Sequence, residues 1–249
     1  MQRYFLAGKF EEQATYKLTG DDFHHAAHVM RMKIGDKCFL TFEDEMAIVA
    51  EITEILEAEI NLQLVEKEET QKELPFNVTI ACGYTKGDKL EWVAQKATEL
   101  GMFELIGFPS KTSVVKWDEK KLTKKVPRFE KIVKEAAEQS HRQKVPGIQL
   151  LSHFNDFTKS LVNYDHILVA YEESAKSGET KSFVKSLQEV KTGESVIIIF
   201  GPEGGLSPQE IDIFSEEKAV ICGLGPRILR AETAPLYALS AMSYQWELL

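Results

Sequence analysis

The chain has 249 residues, 43% of them hydrophobic and 28% charged, with a formal net charge of −9. That is enough apolar content for one large core or two modest ones, while even the longest apolar runs, such as Val196 to Phe200, are far short of the roughly 20 residues that a membrane crossing needs. Three widely spaced cysteines, Cys38, Cys82 and Cys222, exclude a disulfide framework and a CxxC zinc knuckle, and read as buried thiols.

Residues 1–72 read as short strands. Arg3–Leu6, Thr15–Leu18, Lys37–Phe42, Met46–Ile52 and Glu59–Val65 are β-prone runs separated by Gly, Asp and Glu clusters. One helix interrupts them, Asp21 to Met32, with Asp21 or Asp22 as N-cap and the Gly35-Asp36 turn beyond it. Five strands in so little chain suggest a small β-barrel. The polar stretch Glu66–Leu74, ending before Pro75, is the linker candidate and opens a second domain over residues 73–249.

There strand and helix alternate. Strands are expected at Asn77–Cys82, Glu104–Phe108, His166–Tyr171, Val196–Phe200 and Ala219–Cys222. Helices are expected at Lys89–Leu100 (closed by Gly101), Lys121–Gln143, Thr180–Val190, from the capping box Ser207-Pro208-Gln209-Glu210, and from about Thr233 with Pro235 in the first turn. Such alternation implies an α/β domain, a parallel sheet covered by helices on both faces. The opening Met1-Gln-Arg-Tyr-Phe-Leu carries no apolar stretch of signal-peptide length, which points to the cytoplasm.

A net negative charge opposes a nucleic-acid partner, but its distribution changes that. Residues 111–146 hold 11 Lys/Arg against 5 Asp/Glu, while residues 1–70 hold 7 against 15 and residues 147–249 hold 8 against 14. A lysine-rich face is usually only solvated; concentrated in one segment, it also fits a phosphate-contacting arm.

In open α/β sheets ligands bind beyond the carboxyl ends of strands. Two such ends have unusual composition: Phe200 followed by Gly201-Pro202-Glu203-Gly204-Gly205, and Cys222 followed by Gly223-Leu224-Gly225-Pro226-Arg227-Ile228-Leu229-Arg230-Ala231-Glu232-Thr233-Ala234. One glycine–proline loop turns a strand into a helix. Two on consecutive strands, the second bearing Arg227, Arg230 and Glu232, exceed that need, because glycine lets backbone groups approach a flat ligand. Neither loop is a phosphate cradle: G-x-x-x-x-G-K-[ST] is absent, and Gly223-Leu-Gly-Pro-Arg-Ile228 fails G-x-G-x-x-G.

Phe200-Gly-Pro-Glu-Gly-Gly-Leu-Ser207 together with Leu224-Gly-Pro-Arg-Ile-Leu-Arg-Ala-Glu-Thr-Ala-Pro235 resembles the RsmE-type family, uridine-N3 methyltransferases of 16S ribosomal RNA. Lys96-Ala-Thr-Glu-Leu-Gly101, Glu135 to Arg142, Asp22-Phe-His-His25 and Val29 to Lys33 are similar to that family too, so the likeness covers nearly the whole chain; Thr112 departs from it where an arginine is expected. The resemblance implies a PUA-like N-terminal domain, a SPOUT domain with a trefoil knot, a homodimer, the small ribosomal subunit as partner, no metal, and S-adenosylmethionine held by the two loops. It implies cofactor contacts from Phe200, Gly201, Pro202, Glu203, Gly204, Gly205, Cys222, Leu224, Gly225, Arg227, Ile228, Leu229, Arg230, Thr233 and Ala234. RNA contacts are expected from Arg3, as the resemblance implies, from His25, Arg31 and Lys33 in and beside the N-terminal helix, and from Lys111, Lys121 and Lys125 in the basic segment.

Methyl transfer to uracil N3 needs alignment and loss of the N3 proton. Arg230 or Arg142 could stabilise the anion; Glu232 could accept the proton or serve the final helix at its N-terminus. His24 and His28 stand i, i+4 without an HExxH pattern, so packing or phosphate contact is expected rather than metal. Two rivals remain: a knotted methyltransferase with another target such as a transfer-RNA ribose, and a ribosome-binding factor without activity.

Overall fold

The computed structural model describes residues 1–173 and 181–249, which form two compact units, residues 1–73 with 137–144 and residues 74–136 with 145–249. In the first unit β1 (Gln2–Phe5), β2 (Tyr16–Thr19), β3 (Lys37–Thr41), β4 (Ala47–Ile55) and β5 (Glu59–Lys67) make one sheet in the order β1-β3-β4-β5-β2. β1 runs parallel to β3 and the other pairings are antiparallel. Register shifts between β4 and β5 at Val49/Ala50 and Ile52/Glu54 add twist and bend, and the sheet curls around Leu18, Leu40, Ile48, Ile52, Ile60 and Leu62. The helix Gly20–His24 widens into a π turn over His25–Val29. It stops short of Met32, because Arg31 takes a left-handed conformation at φ 55°.

Side chains of the stretch read as a linker make contacts within the first unit. Glu68 accepts from the Arg3 guanidinium at 2.6 Å and pairs with Lys72, and Glu73 accepts from the Gln143 backbone N–H at 2.8 Å and pairs with Arg142. Arg3 is 1% exposed. Its guanidinium donates to Thr41 Oγ1 at 2.7 Å and lies 4.5 Å over the Phe39 ring. It is committed to the interior in this structure. Long charged side chains read as surface in sequence; here Glu68 supplies the counter-charge that makes burial tolerable.

The long helix also ends early, Glu119–Gln139 instead of Lys121–Gln143. His141 adopts φ 59°, and the Arg142 N–H returns to the Ala137 carbonyl at 2.9 Å, a left-handed helix stop with histidine in the usual glycine place. Burial first, then the charges of Arg3 and Lys72, hold the His141 imidazole below its ordinary value, with Glu68 opposing. The unfolded chain thus accepts a proton that the folded one resists. This group costs nothing well above about pH 6.5, and stability is lost as the pH falls below that value. His141→Asn keeps a residue tolerant of left-handed backbone and should flatten the stability profile between about pH 7 and 5. Urea titrations at a series of pH values check this; an unaltered slope would clear His141 of the effect.

In the second unit β6 (Asn77–Gly83), β7 (Glu104–Phe108), β8 (Gly147–Leu150), β9 (His166–Ala170), β10 (Ser195–Phe200) and β11 (Val220–Cys222) form a sheet in the order β11-β9-β10-β6-β7-β8, parallel throughout. Successive side chains of a strand face opposite ways. Val196, Ile198 and Phe200 accordingly join one core with the helices Lys89–Glu99 and Thr233–Ser243, and Ile197 and Ile199 join another with Phe157 and Phe214. Gly101 closes the first of these helices at φ 93°, and a Cβ there would stand 2.7 Å from Leu74, so both backbone and packing require glycine. The capping box forms as read: Ser207 is N-cap, Pro208 follows, and Glu210 answers. Strand β8 and the helix Phe154–Ser160 went unread. The expected helix start at Thr180 lies outside the described residues; the described helix is Ser182–Glu189.

Candidate functional site

β9, β10 and β11 are neighbours in the sheet, so the loops leaving their carboxyl ends converge. They enclose a cavity of about 440 Å³, within the roughly 300–1,000 Å³ typical of small-molecule sites. Phe200, Gly201 to Leu206, Leu224, Gly225, Arg227 to Glu232 and Ala234 line it. Of the expected cofactor set, two residues stand back from the wall: Cys222, buried in β11 with its thiol against the Val169 carbonyl at 3.4 Å, and Thr233, which opens the final helix.

Leu206, Pro226 and Ala231 line the cavity without having been among the expected contacts, and outside the two glycine loops four more were missed from sequence: Lys89, Ala170, Tyr171 and Glu172. The last three leave β9, the strand between β10 and β11, so the carboxyl-end rule could have found them once strand order was known. Lys89 had no local signal.

The first loop is held by its own backbone and by a neighbour. Gly205 N–H bonds to the Pro202 carbonyl at 2.9 Å, and a Cβ on Gly201 would sit 2.6 Å from Gly205 C and 2.8 Å from Leu206 N. Thr112 donates its hydroxyl to the Gly205 carbonyl. Where the family pattern expects arginine, this chain therefore carries a short side chain that pins the loop. Gly204 faces that same Thr112, with a built Cβ 3.0 Å from its Cβ, so Gly201 rather than Gly204 is the tighter position. Glu210 accepts from the backbone N–H groups of Ser207 at 2.8 Å and Lys111 at 2.9 Å, fixing the loop to its helix.

Charge is concentrated at the wall. Lys89 Nζ lies 2.8 Å from Glu203 Oε1 and 3.7 Å from Glu232 Oε2. Burial works against the charge of Glu203, but the Lys89 hydrogen bond and the backbone N–H groups outweigh it and hold the carboxyl below its ordinary range. Glu232 occupies the N-cap of Thr233–Ser243 without a capping hydrogen bond from its side chain. Arg227 and Arg230 are exposed on the wall. Charges of both signs (Lys89, Arg227 and Arg230 against Glu172, Glu203 and Glu232), apolar side chains and open backbone groups make a wall that suits a flat ligand carrying both cationic and anionic groups.

Arg142 is not part of this wall; it is 3% exposed and paired with Glu73. Among the expected RNA contacts, His25 Nδ1 lies 3.1 Å from the Tyr4 hydroxyl, while Arg31, Lys33, Lys111 and Lys121 are exposed. Lys111 reaches Gln209, and Lys125 lies 4.4 Å over Trp117 and 3.5 Å from Glu91, so Lys125 is largely engaged in packing. Among the described residues no group of three or more His, Cys, Asp or Glu is placed to hold a metal, and no helix is long and apolar enough to cross a membrane.

A family model described as an RNA methyltransferase domain matches residues 72–243, and one described as an RNA methyltransferase PUA domain matches residues 18–63. A Bacillus subtilis protein named ribosomal RNA small subunit methyltransferase E is 46% identical over 252 residues, covering 100% of this chain and 98% of its own. A methyltransferase from Legionella pneumophila, solved with bound cofactor SAM, is similar at TM-score 0.84 and 26% identity, over 98% of this chain and 97% of its own. The ribosomal RNA small subunit methyltransferase E of Neisseria gonorrhoeae, bound to S-adenosyl methionine, is similar at TM-score 0.84 and 25% identity, over 99% of this chain and 98% of its own.

Proposed function

The chain belongs to the RNA methyltransferase family, with a PUA-like sheet and a parallel SPOUT-type domain, and from that membership we propose that it methylates N3 of a uridine in 16S ribosomal RNA with S-adenosylmethionine. The observation that carries the reading is the cavity at the ends of β9, β10 and β11, walled by the backbone of two glycine loops and edged with carboxylates. When bound there, the cofactor supplies an electrophilic methyl group on a sulfonium. The residues that would hold it are Gly201 to Gly205 and Leu224 to Leu229 through backbone groups, with Phe200 and Ala234 as apolar walls.

The chain's own task is then alignment and proton removal. Arg230 and Arg227 offer cations to the anion that forms when N3 loses its proton. Glu232, whose side chain leaves the helix end uncapped, is the acceptor this reading favours. The two loops cross as the knot of the family, and a second copy of the chain covers the site. Leu239 is fully buried in its own core, so it cannot report on that contact. Tyr237 and Ile228, 42% and 72% exposed, face outward, and Tyr237→Asp should shift the mass seen by light scattering to that of a monomer. The substrate is the small ribosomal subunit, which places the protein in the cytoplasm.

Incubation with undermethylated small subunits and cofactor, followed by nucleoside analysis, tests the reading: 3-methyluridine is expected, and a ribose-methylated nucleoside or no transfer would overturn it. RNA docking has its own test. Lys120, Lys121 and Lys124 are exposed on the long helix, and replacing all three by glutamine should flatten the salt dependence of RNA binding by roughly 0.7–0.9 log units per lost contact. Equal slopes would move the docking surface to Arg31 and Lys33.

A further inference from the structure

The geometry points to Lys89 as a positioning residue of this site, one ammonium that holds a carboxylate from each of the two cavity loops and so sets their spacing. Lys89 begins the helix Lys89–Glu99, yet its side chain leaves the helix and lines the cavity. It donates to Glu203 Oε1 at 2.8 Å, where the Lys86 backbone N–H also donates at 3.1 Å. Glu203 belongs to the loop after β10; Glu232, at 3.7 Å from the same nitrogen, belongs to the loop after β11.

Glu232 Oε2 is buried and has no hydrogen bond of its own. A buried carboxylate oxygen without a partner is costly, and the nearby ammonium offsets that cost while leaving the oxygen free to accept. Without Lys89, two carboxylates on facing loops would repel each other and push the loops apart. The hydrogen bond to Glu203 chiefly, and then the two carboxylate charges, raise the Lys89 affinity for its proton above the ordinary lysine value, so the bridge stays charged through the neutral range. An ordinary surface ion pair contributes little. This one differs in that carboxylates from two separate loops meet around one nitrogen, and all three side chains line the cavity.

The role rests on the cofactor reading above, and binding of S-adenosylhomocysteine, followed by calorimetry, separates the two. Lys89→Met should weaken that binding about tenfold, the scale of one charge-assisted hydrogen bond, with thermal unfolding close to wild type. Lys89→Arg keeps the charge and should bind within about threefold of wild type. The double variant Lys89→Met/Glu232→Gln removes the repulsion and should bind more tightly than Lys89→Met alone, a coupling that a double-mutant cycle measures. A lysine that merely touched the ligand would give no such recovery, and its absence overturns the proposal. So does Lys89→Met binding as tightly as wild type. Wild-type protein that takes up no S-adenosylhomocysteine overturns the cofactor reading, and this role with it.

Discussion

Gly201→Ala is expected to cost more cofactor affinity than any other single-methyl change in the two loops. The added Cβ would meet three backbone atoms, Gly205 C at 2.6 Å, Leu206 N at 2.8 Å and Gly205 Cα at 2.9 Å. No side chain can rotate away to make room, so the loop itself must open. Overpacking of this kind costs about 1–3 kcal/mol, which corresponds to roughly five- to 150-fold weaker binding. Gly204→Ala makes a useful contrast, since its methyl meets the Thr112 Cβ at 3.0 Å and the Thr112 carbonyl at 3.2 Å, on a neighbouring segment that can yield. A loss of a few-fold is expected there. Calorimetry with S-adenosylhomocysteine and far-UV circular dichroism distinguish a displaced loop from an unfolded chain. Wild-type affinity in Gly201→Ala would remove this loop from the binding surface.

Arg142→Ala is expected to be the most destabilising substitution of a charged residue in the first unit. The Arg142 and Glu73 side chains are 4% and 11% exposed, and the guanidinium engages the Glu73 carboxylate through both Nε and a terminal nitrogen. Truncating one partner leaves the other buried and unpaired, at a cost of about 3–5 kcal/mol. Glu73 also receives the Gln143 backbone N–H, so the turn after the long helix should loosen as well. Denaturant unfolding measures the loss, and single-turnover rates on the fraction still folded measure any separate effect on chemistry. Full stability with lost turnover would instead put Arg142 in the reaction, as a cation that stabilises the uracil anion.

What sequence determined by itself was whatever rests on neighbouring residues. The Ser207-Pro208-Gln209-Glu210 cap is readable because its donors and acceptors lie three positions apart. The run Ser195–Phe200 is readable as a buried strand because its residues fill the cores on both faces of the sheet. The two glycine loops are readable because close backbone approach leaves few residue types possible, and the positive φ of Gly205 and Gly225 agrees. Strand β8 was silent because its four residues, half-buried and exposed in alternation, carry too little apolar pattern to stand out from a loop.

Only the tertiary structure decided which charges are buried and what they hold. Arg3 meets Glu68 across 65 positions, and Lys89 meets Glu203 across 114. In the sequence the first is one residue of a short strand and the second is one more helix lysine. A long charged side chain is compatible with water or with a buried partner, and the balance turns on whether folding brings a counter-charge within hydrogen-bond distance. That distance is fixed by strand order and loop paths, which pair residues remote in the chain and leave no trace in the residues beside them.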